Sequence, residues 1–311
     1  MNVAGGAAAA VLAAALCAPG PAAAMPAPDG PERCVEPVAV DPASARAEAV
    51  SRQAPTQYRS QAGTSASPET AASAGWADVA PASAITTVPT YVHVLRSPRG
   101  AVVTRARVLD QIKVLNSGFR GRQSANAAVA PYRFELAGVT RTVNRSWDHM
   151  TQGSTAERRA KRTLHRGNAN DLNLYIVART SSTLGWSTTP QTYDERPRMD
   201  GVVVARTTLP GGSRGRYSAG DVAVHETGHW FGLLHTFAGK CGRRGDRVAD
   251  TPAEARASYT CPIGRDTCSG PGRDPIRNFM DYSYDSCMNH FTDGQVSRIN
   301  RMWQRFRAGG S

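Results

Sequence analysis

The residues of this 311-residue chain best suited to chemistry stand together in VAVHETGHWFGLLH, residues 222–235. His225 and His229 are four positions apart, so on a helix their imidazoles lie one turn apart on the same face and can share a metal ion. Gly232 can end that helix, because a residue without Cβ lets the backbone turn sharply. The turn would bring His235 back as a third ligand. Three imidazoles leave a zinc ion one open position, which is typical of catalytic rather than structural zinc sites.

A carboxylate directly follows the first of these histidines. Glu226 can reach a water molecule on the metal without being a ligand itself. Zinc lowers the pKa of bound water from about 15.7 to about 7, so Glu226 can take its proton near neutral pH and later return it to a departing amine. The residues alone therefore predict hydrolysis of peptide bonds through a zinc-bound water activated by Glu226. The spacing HExxHxxGxxH arises by chance with a probability on the order of 10⁻⁵.

Strands and helices are expected to alternate upstream of this motif. Apolar and β-branched runs predict strands at 90–95, 132–139, 172–177 and 201–205, and helical spacing predicts helices at 104–119, 155–165 and, near the C-terminus, 296–307. This alternation predicts an α/β layer structure. The Gly, Pro, Asp and Cys content of residues 236–290 predicts irregular loops.

The composition of residues 1–84 predicts that the protein is exported. Residues 1–24 match a signal peptide, with an apolar stretch from Ala7 to Leu16 and small residues at a cleavage site; an Ala-rich tract without such a role is the alternative. Residues 25–84 are rich in Ala, Pro, Ser and Gln and are typical of a pro-segment or linker without its own core. No later stretch can span a bilayer. We therefore expect a secreted protein without a membrane anchor.

The chain is basic, with 37 Lys and Arg against 25 Asp and Glu and a net charge of +12. Such a charge favours acidic partners but specifies no chemistry. The basic cluster at 158–166 lacks interleaved aromatic residues, so a solvated helix face is the better interpretation than a nucleic-acid patch. No nucleic-acid partner is expected.

Five cysteines remain if the signal peptide is removed. Cys241, Cys261, Cys268 and Cys287 lie close together, and in an oxidising compartment they suggest two disulfides with three possible pairings. A structural zinc site is the weaker alternative, because no CxxC pair is present. Cys34 is left over.

Several motifs resemble a known family. HETGHWFGLLH resembles the consensus of the metzincin clan of zinc metallopeptidases, and Asn278–Tyr282 (NFMDY) resembles its Met-turn. The stretches 278–299 and 245–254, with TYVHVL, LNLYIV, LGWSTTP and DGVVVARTTLPGG upstream, are similar to the pappalysin family (cytophagalysin branch, ulilysin-like). The resemblance spans roughly residues 85–307.

The resemblance implies a metzincin-like α/β (α+β) fold. A mixed twisted sheet and the active-site helix would form an upper subdomain (85–232), and a loop-rich, disulfide-stapled lower subdomain (233–311) would complete a catalytic domain over 85–311. Its implied activity is that of a zinc endopeptidase acting on protein or peptide substrates. A non-catalytic, zinc-stabilised binding module of the cell envelope is the rival class. That class should lack Glu226 or a ligand, and neither is missing.

The resemblance also assigns individual roles. It implies zinc held by His225, His229 and His235, Glu226 as general base, Met280 as a hydrophobic floor, and Tyr282 as a stabiliser of the transition state. The cysteine order of the family implies the disulfides Cys241–Cys268 and Cys261–Cys287. The family often binds calcium, for which Asp246, Asp250, Thr251 and Glu254 are oxygen-rich candidates; a turn with self-capping Asp residues is an equal alternative.

Two further residues carry hypotheses about regulation and specificity. Cys34 can be a cysteine switch whose thiolate occupies the open zinc position until the pro-segment is removed, although family switches usually have Gly where this chain has Val35. A thiol that pairs with another chain, or an inert one, is the alternative. Asp285 follows the Met-turn, which in this clan walls the pocket for the residue after the scissile bond, and a carboxylate there would select Arg or Lys. Turn capping or calcium binding by Asp285 is the alternative.

Overall fold

The computed structural model describes Met1 and residues 84–178 and 183–309. Apart from Met1, the predicted signal peptide lies outside the described residues, as do nearly all of the predicted pro-segment and Cys34.

Within the described ranges, five strands form one mixed sheet. They are β1 (Thr86–Arg96), β2 (Tyr132–Val143), β3 (Leu172–Val177), β4 (Gly185–Ser187) and β5 (Val202–Ala205), in the spatial order β2-β1-β3-β5-β4. Neighbouring strands are parallel, except that β4 runs antiparallel to β5 at the edge of the sheet. All residues of β3 and β5 are buried, which explains why these strands are apolar runs in the sequence, interrupted only at Asn173.

The described part also contains five α-helices. They are α1 (Arg105–Phe119), α2 (Arg145–Asp148), α3 (Thr155–Leu164), α4 (Asp221–Trp230) and α5 (Asp293–Phe306). Side-chain caps set several of their starts: the Thr104 hydroxyl accepts from the backbone of α1, and the Ser154 hydroxyl does so for α3. α5 begins three residues before its predicted start because Thr292 and Gln295 form a capping box.

Helices cover both faces of the sheet. The main core packs α1, α4 and α5 against one face, where alternate residues such as Leu174 and Val204 point. A smaller cluster lies on the other face and includes Tyr175, Trp186 and Val203 from the strands with Leu164 from α3. Every residue of α4 is buried, so its histidine and glutamate side chains lie inside the protein and not in solvent.

The C-terminal part is loop-rich, as predicted. Among the described residues from 231 to 292, turns and bends prevail, and the one β-bridge joins Asn278 and His290. Two disulfides hold this region: Cys241–Cys268 and Cys261–Cys287, with Cα–Cα distances of 5.5 and 5.6 Å. These are the pairs that the resemblance implied, and they select one of the three pairings that spacing alone left open.

Candidate active site and metal centre

α4 and the turn that follows it bring three histidines to one point. His225 and His229 lie one helical turn apart, and Gly232 then adopts φ +94°, a conformation that favours glycine. A Cβ at Gly232 would also lie 3.0 Å from Met302 side-chain atoms. The backbone N–H of Leu233 donates to the Gly228 carbonyl at 2.9 Å, so the helix end is closed tightly before the chain returns at His235.

The three imidazoles form a compact triangle. Their Nε2 atoms lie 3.2 Å (His225–His229), 3.1 Å (His225–His235) and 3.0 Å (His229–His235) apart, and all three residues are buried. Ligands arranged tetrahedrally at about 2.0–2.1 Å from an ion lie about 3.4 Å from one another. The triangle therefore has nearly the size that a tetrahedral metal requires.

The hydrogen bonds on the far side of the rings fix their protonation. Nδ1 of His225 lies 2.6 Å from the Phe279 carbonyl, and Nδ1 of His229 lies 2.9 Å from the Leu233 carbonyl. A carbonyl only accepts, so each Nδ1 carries the proton and each Nε2 presents a lone pair. Burial, reinforced by the nearby His235, lowers the pKa of His225 to about 3 and that of His229 well below its ordinary value. Lone pairs of neutral imidazoles that converge in this way suit a cation.

The loop Asn278–Tyr282 supports this triangle from below. A Cβ on Gly228, between the two helical histidines, would lie 2.5 Å from the Sδ atom of Met280, so the glycine is what lets the methionine approach. The Asn278 side chain accepts from the backbone N–H of Met280 at 2.9 Å and exchanges two hydrogen bonds, of 2.8 and 2.9 Å, with the Gln295 side chain. This buried amide pair fixes the loop and was not predicted. The capping-box position of Gln295 was the available signal.

Two aromatic rings flank the third histidine. The Tyr282 ring lies 4.9 Å from that of His235 and 5.6 Å from that of His225. The Phe237 ring stacks on His235, 4.6 Å away and almost parallel to it, and also lies 4.9 Å from the Tyr282 ring. The predicted transition-state residue Tyr282 is therefore beside the metal cradle, and Phe237 is a neighbour that the sequence pattern did not reveal.

Glu226 lies between α4 and the edge strand β4. The residue is fully buried, and a Cβ built on Gly185 of β4 would lie 2.9 Å from Cγ and 3.0 Å from Oε1 of Glu226. The glycine thus allows the strand to approach the carboxylate. Glu226 directly follows His225 on α4, with its carboxylate buried at the edge of the sheet.

Asp285 lies at the start of α4. Its Oδ2 atom accepts from the backbone N–H of Ala219 at 2.7 Å. Burial raises the pKa of Asp285 to about 6, while the nearby backbone N–H groups of Gly220 and Asp221 favour the charged form. This arrangement is the turn capping that was expected from the sequence as one alternative for Asp285. Beside His225, a small and mainly apolar pocket is lined by residues that do not include Asp285.

The carboxylates among the four calcium candidates have different hydrogen-bond partners, and the Thr251 side chain lies beside that of Asp246. Asp246 is buried, and its Oδ1 accepts from the backbone N–H of Val248 at 3.0 Å. Asp250 caps α5, since its carboxylate accepts from the Thr292 hydroxyl at 2.7 Å and the Gly294 N–H at 2.8 Å. Across residues 84–178 and 183–309, the three histidines are the one group of three or more His, Cys, Asp or Glu side chains close enough to share an ion.

Glu254 belongs to a separate hydrogen-bond network. Its carboxylate accepts from the hydroxyls of Thr236 (2.8 Å) and Ser258 (2.9 Å) and forms an ion pair with Arg265 (2.6 Å). Burial, with the negative charge of Asp281, raises the pKa of Glu254 to about 7. The structure therefore does not bring Glu254 together with the other calcium candidates.

Comparisons with known proteins identify the family of this chain. The family model Peptidase M43, described as pregnancy-associated plasma protein-A, matches residues 204–304. An extracellular metalloprotease of Pyricularia oryzae is 44% identical over 229 residues, which cover 72% of this chain and 77% of that protein. One from Podospora anserina is 42% identical over 233 residues, covering 72% of this chain and 75% of that protein.

Two solved structures are also similar to this chain. Mature mirolysin of Tannerella forsythia in complex with a cleaved peptide is similar with a TM-score of 0.62 and 29% identity, over 72% of this chain and 93% of that chain. A promirolysin mutant from the same organism is similar with a TM-score of 0.64 and 28% identity, over 73% of this chain and 83% of that chain.

The chain belongs to this pappalysin family of metallopeptidases and is a metalloendopeptidase. The predicted family and the metzincin-like α/β fold are thereby confirmed. Protein or peptide substrates follow from that activity. Within the described residues, no helix is both long enough and apolar enough to cross a bilayer.

Proposed function

We propose that this chain is a secreted, zinc-dependent endopeptidase in which Glu226 is the general base. The observation that carries the proposal is the convergence of the Nε2 atoms of His225, His229 and His235 within 3.2 Å of one another. The buried Glu226 directly follows the first of these histidines on α4. Backbone carbonyls hold the Nδ1 protons of His225 and His229, and three converging imidazole nitrogens are a donor set that zinc prefers.

The residues around the triangle divide the reaction between them. A zinc ion held there would lower the pKa of a water molecule to about 7 and polarise the scissile carbonyl. Glu226 takes the proton from the attacking water and then donates it to the nitrogen of the leaving product. The Tyr282 hydroxyl donates a hydrogen bond to the carbonyl oxygen as negative charge develops on it.

The edge strand β4 supplies a place for the substrate backbone. One side of β4 pairs with β5, and it is the last strand of the sheet order, so its other side can pair with an extended peptide. Because Gly185 lies against Glu226, a peptide added to β4 passes the general base. The cleaved peptide reported with mature mirolysin supports a peptide-binding cleft of this kind.

Casein or a fluorogenic peptide mixture tests the proposal. The purified, matured protein should hydrolyse it, lose the activity with a zinc chelator, and recover it when zinc is added back. Activity that a chelator does not affect would contradict the proposal.

The proposal includes a preference for Arg or Lys after the scissile bond, through the charge of Asp285. Support comes from its position directly after the loop that lines the pocket beside His225 and from a pKa of about 6, which leaves it charged at neutral pH. Cleavage mapping on a proteome-derived peptide mixture should show basic residues enriched at that position, and Asp285→Asn should reduce the enrichment. A profile without basic enrichment would remove this part of the proposal.

Export and latency complete the proposal. Residues 1–24 would act as signal peptide and 25–84 as pro-segment, leaving a catalytic domain over 85–311, with Cys34 as the latch. The relatives named extracellular metalloproteases and the existence of a promirolysin form support this order of processing. N-terminal sequencing of the secreted active form tests it. Cys34→Ser protein that is no more prone to self-activation would exclude the latch.

Calcium binding by Asp246, Asp250, Thr251 and Glu254 stays a prediction. A rise in Tm when calcium is added to protein treated with a calcium chelator would support it, and an unchanged Tm would exclude it.

A further inference from the structure

The edge strand β4 needs support beyond its own hydrogen bonds. It has three residues, and it pairs with β5 only through the register Gly185–Val204, Trp186–Val203 and Ser187–Val202. Such a short strand at a sheet edge has few ladder bonds to fix its position. Yet Gly185 lies against Glu226, so a small shift of β4 would change the distance between a bound peptide and the general base.

Trp186 anchors β4 on the opposite face of the sheet. Successive side chains of a strand point to opposite faces, so Trp186 points away from Glu226 and into the smaller core cluster. Its indole Nε1–H donates to Oε1 of Glu157 on α3 at 2.7 Å, and both residues are buried. The strand is therefore bonded through its middle residue to a helix on the opposite face of the sheet from α4.

Glu157 is itself held by two further groups. Lys161, one turn along α3, places its Nζ 3.0 Å from Oε1 of Glu157 and is fully buried. The backbone N–H of Gly153 donates to Oε2 of Glu157 at 2.7 Å. Burial opposes ionisation of Glu157, but the charge of Lys161 and the hydrogen bonds from Trp186, Lys161 and Gly153 together hold its pKa below the ordinary value.

A buried ion pair of this kind is costly if stability is its only purpose. Apolar residues of similar volume often replace such a pair without loss of stability, whereas a charged acceptor gives a strong, directional hydrogen bond. The direction of this hydrogen bond matters because its donor is the Trp186 indole. Trp186 belongs to β4, the strand whose Gly185 lies against Glu226.

We propose that Glu157 and Lys161 are positioning residues for the substrate: they fix the Trp186 indole and thereby hold β4 where a peptide can pair with it beside Glu226. This inference rests on the proposed function, in which the substrate adds to β4.

The test compares two peptide substrates that contain the same scissile bond. One extends several residues to either side and can pair along β4; the other is trimmed to the residues next to the bond. Trp186→Phe keeps the ring but removes the N–H donor. We expect KM for the extended peptide to rise about tenfold, as loss of a hydrogen bond to a charged group predicts, while KM for the trimmed peptide changes by less than about twofold.

The matched control is Trp147→Phe. Trp147 is a tryptophan packed against the same small cluster, and the same substitution there should give no difference between the two peptides. Zinc content and Tm are measured for every variant. Equal losses on both peptides, or no change on either, would overturn the inference.

A pair of double variants provides a second test. Glu157→Leu with Lys161→Met removes the ion pair and the acceptor, so it should reproduce the KM split of Trp186→Phe. Glu157→Gln with Lys161→Met also removes both charges but keeps an oxygen for the indole, so it should return the KM of the extended peptide towards the wild-type value. Identical kinetics for the two double variants would contradict the inference. Zinc-loaded wild-type protein that cleaves neither peptide would instead contradict the proposed function itself.

Discussion

At the scale of single residues, the direction of the lone pairs in the histidine cluster depends on what the Nδ1 atoms bond to. The carbonyls of Phe279 and Leu233 hold the Nδ1 protons of His225 and His229, so both Nε2 atoms remain lone-pair donors. Those two carbonyls come from different parts of the chain, the Met-turn loop and the turn after α4. The orientation of His229 is therefore set within the HExxHxxGxxH stretch, whereas that of His225 depends on Phe279, which lies outside it.

Glu226→Gln is the most direct test at this scale. The substitution keeps the size of the side chain but cannot accept a proton, so kcat on a peptide substrate should fall by about 10²–10⁴-fold. Zinc content, measured by elemental analysis, should be unchanged because Glu226 is not among the three clustered ligands. A variant that retained the wild-type kcat would refute the role of Glu226 as general base.

The sequence could predict the site only where neighbours in the chain are neighbours in space. The three histidines and Glu226 follow from helical spacing and one glycine turn. The Asn278–Gln295 amide pair, the approach of Gly185 to Glu226 and the contact of Asp285 with Ala219 join distant segments. No local pattern specifies contacts of that kind.

At the scale of elements, the start of α4 concentrates negative charge. Asp221, in the first turn, is buried, and burial with the neighbouring charge of Asp285 raises its pKa to about 7, against the opposing hydrogen bond from Gln123. The folded protein thus keeps a proton on Asp221 that the unfolded chain releases above about pH 4. Stability from this group is present below pH 4 and is lost as the pH rises towards 7.

Asp221→Asn should remove that loss. Relative to the wild type, the free energy of unfolding of the variant should increase between pH 4 and pH 8 by about 1–4 kcal/mol, since one pKa unit corresponds to about 1.4 kcal/mol. Urea denaturation at several pH values measures the difference, and titrating groups that do not interact with Asp221 cancel in the comparison. A difference that stayed constant from pH 4 to pH 8 would contradict the assignment.

The elements that were predicted well are those with a strong period. The strand at 172–177 has the bounds of β3, and the helix at 104–119 differs from α1 by one residue. β1 and β2 extend four residues beyond their predicted limits, at the N-terminal and C-terminal end respectively. β4 was not predicted as a strand, because three residues are too few to show alternation.

At the scale of the whole molecule, the buried ion pair of Asp200 and Arg307 joins the segment that follows β4 to the segment that follows α5. Asp200 accepts from the Thr188 hydroxyl just after β4 (2.8 Å), from the Trp230 indole at the end of α4 (2.7 Å), and from Arg307 after α5 (3.1 and 3.2 Å). Arg307 is fully buried, and its guanidinium lies 3.5 Å over the Trp230 ring. Asp200 and Arg307 are more than 100 positions apart, so no local sequence pattern could predict this ion pair.

Removing one charge of the Asp200–Arg307 ion pair should lower the stability of the protein more than removing both charges. Arg307→Met leaves the Asp200 carboxylate buried without its cation and should lower the free energy of unfolding by about 3–5 kcal/mol. Arg307→Met combined with Asp200→Asn removes both charges and should be distinctly less destabilised. Chemical denaturation followed by tryptophan fluorescence measures both. A double variant as unstable as the single one would show that charge pairing is not the source of the effect.

The metal itself provides the most direct measurement of the whole account. Elemental analysis of the matured protein, followed by a crystal structure with anomalous scattering at the zinc edge, should find close to one zinc per chain, bound to Nε2 of His225, His229 and His235. Absence of such an ion, or imidazoles that point away from one another in the crystal, would contradict the account at its centre.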